Sequence, residues 1–201
     1  IHLAPVSVQQ AQEEALALLS NQASASGLEI RCEPPDPPLW VHADHVRLRQ
    51  ILVNLLSNAI KYNRPGGCVQ LEAMPVGPDI VLSVSDTGRG LDAGQIAHLF
   101  EPFNRLGAER TGVEGTGIGL VIVHRLLELM GGRITVSSRP GEGSVFRVWL
   151  PAAEPAEDAP RGRSQFGHLD GAPDGPPEQR TFTVLYAEDN PVNVELVRQV
   201  L

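Results

Sequence analysis

Residues 45–62, HVRLRQILVNLLSNAIKY, demand a large apolar partner. Leu48, Ile51, Leu52, Leu55, Leu56, Ala59 and Ile60 recur at spacings of three and four, so on a helix they form one broad apolar stripe. Asp44 stands where an N-cap belongs, and RPGG at 64–67 stops the run. A stripe this wide has to be covered, and the flanking sequence supplies strands to cover it. CVQLEAMPV (68–76) and DIVLSVSD (79–86) read as two strands joined by a turn, and GRITVSS with SVFRVWL as a final pair. GLEIRCE (27–33) and a short segment before Asp44 add further strands. Helices are expected over 5–24, with apolar positions Val8, Ala11, Ala15, Leu18 and Leu19, around 92–98, and over 118–130 up to Gly131-Gly132. Residues 100–116 show no periodicity and several glycines. The expected fold is α+β, a two-layer α/β sandwich with helices on one sheet face.

The same helix carries a polar stripe. Successive helical residues turn by about 100°, so Asn54 and Asn58 lie about 40° apart and Lys61 falls almost on the meridian of Asn54. Asparagine is a poor helix former, and an ordinary solvated face uses Glu, Lys or Arg more often. An amide oxygen can ligate Mg2+ without adding charge, and a lysine one turn on can hold a phosphate oxygen. Two glycine turns match such a ligand. SDTGRG (85–90) puts an aspartate at a strand end, able to accept a hydrogen bond from an exocyclic amine, beside glycines that let backbone come close. GTGIGL (115–120) opens a helix whose free N–H groups and dipole favour phosphate. It is not the dinucleotide fingerprint, because the glycine spacing is wrong and no strand directly precedes it.

Composition narrows the classes. A net charge of -8 argues against a general nucleic-acid binder. No apolar run reaches the ~20 residues of a membrane-spanning helix, and the start lacks a secretory pattern. Cys32 and Cys68 have no metal-ligand spacing, which points to a reduced, cytoplasmic setting.

Taken in order, the motifs resemble those of sensor histidine kinases. LVNLLSNAIKY is similar to the family's N box, DTGRG to its G1 box, LFEPFNR to its F box and EGTGIGLVIV to its G2 box, and the closing GEGSVFRVWLP matches as well. The resemblance covers roughly residues 5–151 and implies a catalytic domain over 1–151. It implies the Bergerat ATP-binding fold, ATP and Mg2+ as ligands, and a lid between the F and G2 boxes. It implies that Asn58 ligates Mg2+, with Asn54 and Lys61 beside the phosphates. Asp86 would recognise the adenine amine, Ser144 would be a second polar contact near the base, and Tyr62 would pack by the adenine. Gly88 and Gly90 would shape the base pocket. Gly115, Thr116, Gly117, Gly119 and Leu120 would bring lid backbone to the phosphates, and Arg105 is a candidate phosphate contact. In related ATPases of this fold, the position of Asn54 resembles a glutamate that activates water. An amide cannot take that proton at neutral pH, which suits a kinase better than a hydrolase.

The family's acceptor histidine lies on a separate dimerising hairpin, in a pattern like H-E-x-R-x-P. His2, His42, His45, His98, His124 and His168 do not fit that pattern. His124 reads as structural. Residues 152–180, rich in Pro, Ala, Gly and Asp, read as a linker. TFTVLYAEDNPVNVELVRQVL (181–201) resembles the opening of a receiver domain, in which Glu188 and Asp189 would help bind Mg2+. The resemblance thus implies a hybrid kinase fragment whose partners are the hairpin and a receiver, with no membrane contact of its own. Two other classes stay open at this point: a degenerate module that binds nucleotide without transferring phosphate, and an anti-sigma-like serine kinase of the same fold.

Overall fold

All seven apolar residues of the 45–62 stripe are buried, none more than 4% exposed. A computed structural model describes residues 1–104 and 116–155. In chain order these give β1 (Ala4–Ser7), α1 (Val8–Ala25), β2 (Glu29–Cys32), β3 (Trp40–Ala43), α2 (His45–Lys61), β4 (Cys68–Val76), β5 (Asp79–Asp86), α3 (Ala93–Ala97), α4 (Gly119–Leu129), β6 (Arg133–Arg139) and β7 (Gly143–Pro151). Asp44 caps α2 by accepting the Arg47 N–H at 3.1 Å.

Five strands form one sheet in the order β2-β4-β5-β7-β6. All neighbours are antiparallel except β2 and β4, which run parallel. A parallel pair needs a crossover, and the long path through β3 and α2 provides it. The register sorts side chains between the faces. Leu71, Val84, Phe146 and Val136 form one cross-strand row, and Ala73, Leu82, Val148 and Ile134 the next. These rows pack into the core together with α1, α2 and α4. Two residues further along the strands, the inward row is Val69, Asp86, Ser144 and Ser138. The sheet therefore turns polar at one end while still facing the helices.

The N-terminal segment differs from expectation. The helix begins at Val8, because Ala4–Ser7 pairs antiparallel with β3 in a separate two-stranded sheet. Ser7 caps α1 through the Gln10 N–H. Leu18, expected inside, is 65% exposed. The buried face of α1 runs through Val8, Ala11, Gln12, Ala15, Leu19 and Ala23, and Leu18 lies about 100° from Leu19. Small alanines on that face let α1 lie close to α2. No helix among the described residues is long and apolar enough to cross a membrane. Both cysteines are free thiols.

Candidate functional site

A cavity of about 340 Å³ opens where the polar stripe of α2 meets the polar row of the sheet. Asn54, Asn58 and Lys61 line one wall, with Tyr62, the C-cap of α2, at its end. The burial of Ile51, Leu55 and Ile60 fixes the rotation of α2 and so aims these polar groups. Among the described residues, the side chains of Asn54, Asn58 and Lys61 make no hydrogen bond or ion pair. They are presented to the cavity and not used by the fold.

Asp86 and Ser144 face them across the cavity, as cross-strand partners at the polar end of the sheet. The Gly88 N–H donates to Asp86 Oδ1 at 2.8 Å, and Ser144 donates through both its N–H and its hydroxyl. Ser144 Oγ also lies 3.0 Å from Ser138 Oγ, and the Ser138 hydroxyl donates to the Gly143 carbonyl and accepts the Leu91 N–H. Burial pushes the Asp86 carboxyl above the usual carboxylate range, and the hydrogen bonds from Gly88 and Ser144 only partly offset it. Asp86 is the sole carboxylate lining the cavity among the described residues. A half-buried carboxylate without a counter-cation suits a neutral donor such as an amine.

Two glycines have no substitute here. Gly90 lies at φ +64°, and a Cβ on it would run into the Arg139 carbonyl. Gly88 is close behind the wall: a Cβ there would meet the Tyr62 carbonyl and come within 2.8 Å of Asp86 Oδ1. It backs the cavity instead of lining it.

The opposite end is the start of α4. Its N-cap, Ile118, offers no side-chain hydrogen bond, so the first-turn N–H groups lack a side-chain cap. Thr116, Gly117, Gly119 and Leu120 line the cavity there, with Gly117 at φ +73°. A Cβ on Gly119 would lie 3.2 Å from Asn54 Oδ1, so α4 enters directly opposite the first asparagine. Such a helix start is suited to an anion.

Eleven of the expected positions therefore line one cavity: Asn54, Asn58, Lys61, Tyr62, Asp86, Gly90, Thr116, Gly117, Gly119, Leu120 and Ser144. Arg105, Gly115, Glu188 and Asp189 lie outside the described residues, as do most of the expected lid and linker and all of the receiver-like segment. Ser57, Arg89, Leu91, Leu99, Asn104 and Phe146 also line the cavity and were not anticipated. Ser57 is accessible to the helical arithmetic, since it falls about 60° from Asn54 and about 40° from Lys61, on the edge of the same polar stripe. Phe146 follows Ser144 by two on the same sheet face. No histidine lines the cavity among the described residues. His124 is about half exposed, packs its ring 5.2 Å from Phe100 and lies 3.7 Å from Glu128, in keeping with a structural role. Among the described residues no cluster of His, Cys, Asp or Glu could hold a metal by itself.

An α+β sandwich with an amide-and-lysine helix face, a half-buried aspartate and an open helix start around one cavity defines a nucleotide-binding domain of the Bergerat type. The family described as histidine kinase-, DNA gyrase B-, and HSP90-like ATPase matches residues 43–154, and the chain belongs to it. Curated relatives are sensor kinases. The circadian input-output histidine kinase CikA of Synechococcus elongatus is 45% identical over 122 residues, covering 59% of this chain and 16% of CikA. The sensor histidine kinase ZraS of Escherichia coli is 38% identical over 136 residues, covering 68% of this chain and 28% of ZraS. Among solved structures, the catalytic domain of the histidine kinase ThkA superposes with a TM-score of 0.66 at 24% identity, over 75% of this chain and 96% of that one. Full-length ShkA in complex with AMPPNP superposes with a TM-score of 0.65 at 34% identity, over 78% of this chain and 32% of ShkA. The chain carries the ATP-binding catalytic domain found in sensor histidine kinases. It spans less than a third of the length of these curated relatives.

Proposed function

We propose that this domain binds Mg-ATP and transfers the γ-phosphoryl group to a histidine on a separate hairpin of its parent kinase. One observation carries the reading: three polar groups on α2 with no side-chain partner among the described residues, a half-buried aspartate on β5 and the start of α4, which has no side-chain cap, line the same cavity. Asp86 takes the adenine amine, with Ser144 holding the carboxylate in place. Lys61 and the first turn of α4 hold phosphate oxygens. Phosphoryl transfer depends mainly on such positioning and charge neutralisation.

The donor set also fits Mg2+. That ion keeps several waters and takes few protein ligands beside substrate phosphates, so one amide oxygen suffices and a carboxylate cage is not required. Asn58 is the residue to hold it, and the bound ion would neutralise charge on the phosphates. Asn54 cannot serve as a general base, and among the described residues no glutamate lines the cavity to activate water. ATP is thereby held for a partner nucleophile rather than spent on hydrolysis. The receiver-like sequence at 181–201, with Glu188 and Asp189, makes the parent a hybrid kinase in this reading, and phosphate would pass on to a receiver.

The test is radiolabelled ATP with this chain, alone and with the parent's hairpin. Acid-labile label should appear on the hairpin and not on this chain, slowly, because the tether that raises local concentration is missing. Tight ATP binding without any label on the hairpin would replace this reading with that of a regulatory module. Failure to bind ATP would overturn both.

A further inference from the structure

Arg89 lines the same cavity, and no part of the reading above uses it. Its guanidinium carbon lies 4.6 Å from the centre of the Tyr62 ring. Its backbone is held on both sides: the Arg89 N–H donates to the Tyr62 carbonyl at 3.2 Å, and the Gly141 N–H donates to the Arg89 carbonyl at 2.7 Å. Among the described residues it has no carboxylate partner, unlike Arg31, Arg49, Arg125, Arg133 and Arg139. An arginine fixed on an aromatic ring, unpaired and facing a ligand cavity, is a planar cation kept ready for a ligand.

The position decides which part of the ligand it meets. The cavity runs along α2 from Asn54, opposite the start of α4, to Tyr62, against the 86–90 turn. Arg89 belongs to the Tyr62 end, three residues from Asp86. The phosphate-suited helix start is at the other end. A base whose amine reaches Asp86 would therefore lie beside Tyr62 and Arg89, not beside α4. The electron-rich face of a purine is the natural partner for a flat guanidinium already stacked on a phenol ring.

From this geometry we infer that Arg89, braced on Tyr62, is a base-binding residue that stacks on the purine of the bound nucleotide. The inference rests on the nucleotide reading of the site. It makes Arg89 contribute affinity that does not depend on the number of phosphates.

Calorimetric titration of the wild-type chain, Arg89→Ala and Arg89→Lys with ATP, ADP and adenosine tests it. The Ala variant should bind all three about 3- to 10-fold more weakly, by the same factor for each. The Lys variant should recover little, since it keeps the charge but not the plane. A loss that grows from adenosine through ADP to ATP would overturn the inference and make Arg89 a phosphate contact. Unchanged affinities would overturn it as well. Unaltered thermal unfolding of both variants is expected, because Arg89 is an exposed side chain outside the core; a loss of affinity accompanied by a matching loss of fold would count against base stacking. A wild-type chain that binds none of the three would instead refute the nucleotide reading itself.

Discussion

The two ends of the cavity are built by different means. At the Asp86 end, Gly88, Ser144, Ser138, Gly143 and Leu91 form one hydrogen-bonded network continuous with the sheet, with the Arg89 side chain resting on Tyr62 beside it. From the α4 end along the α2 wall, the first turn of α4, Asn54, Asn58 and Lys61 face the cavity with no side-chain hydrogen bond among the described residues. The first end is folded structure that happens to recognise a ligand. The second is a set of groups for which the fold has no use. The lesson is that changes at the first end should disturb folding and binding together, whereas changes at the second should disturb binding alone.

The sharpest way to break this contrast is Gly143→Ala. Gly143 lies at φ +110°, and a Cβ would run into the Asp86 carbonyl. Backbone would have to move, so stability should fall by about 3 kcal/mol or more and nucleotide binding should vanish. Denaturant unfolding together with titration checks both; a stable Gly143→Ala protein would mean the network is not structural.

Asp86→Asn should separate recognition from stability at the same end. Affinity for adenosine should drop by about 100-fold. The pH dependence has a definite sign. Burial raises the native pKa of Asp86 above its ordinary value of 3.8, so the folded chain binds this proton more tightly than the unfolded chain. The contribution of Asp86 to stability is therefore fully present below that ordinary value and is lost as pH rises through the raised native pKa. Unfolding curves across this range should show the wild-type chain losing stability relative to Asp86→Asn as pH rises, and an opposite slope difference would remove desolvation as the dominant cause.

The smallest structural effect is expected at the other end. Asn58→Ala replaces a half-buried amide, without a hydrogen bond among the described residues, by a better helix former, so stability should stay within about 0.5 kcal/mol of wild type or rise. Affinity for ATP should become insensitive to added Mg2+, while adenosine binding stays as it was. Loss of adenosine binding in this variant would show that the two ends are coupled and erase the distinction drawn between them.

The α4 end was also the more legible in sequence, for the same physical reason. Helical periodicity is local, so the stripe of Asn54, Asn58 and Lys61 and all seven buried positions of α2 could be read from spacing. Asp86 was visible as an aspartate before glycines, but its place opposite α2 depends on the register of β5 with β7, which is a pairing between distant segments. Arg89 and Phe146 entered the cavity through the same non-local geometry. The short β1 was missed because Ala4–Ser7 becomes a strand only by pairing with Trp40–Ala43, and its four residues carry too little pattern to compete with the helix that follows. Leu18 was misplaced because a leucine outweighed the alanines that form the real contact face of α1.

One consequence of α2 concerns what length changes this chain can accept. The helix is gripped by its core stripe along nearly its whole length, so its angular phase at Asn54 is inherited from Leu48 and Ile51. Deleting a single residue between Ile51 and Asn54 would turn everything after it by about 100°. Leucines would swing toward the nucleotide and asparagines toward the sheet. Adding four residues would restore the phase to within about 40° but carry the site about 6 Å along the axis, away from Asp86 and α4. Substitutions can tune this helix; insertions and deletions within it cannot be absorbed, and a frame-preserving indel scan should find residues 48–61 empty of survivors while the exposed 75–79 hairpin tolerates them.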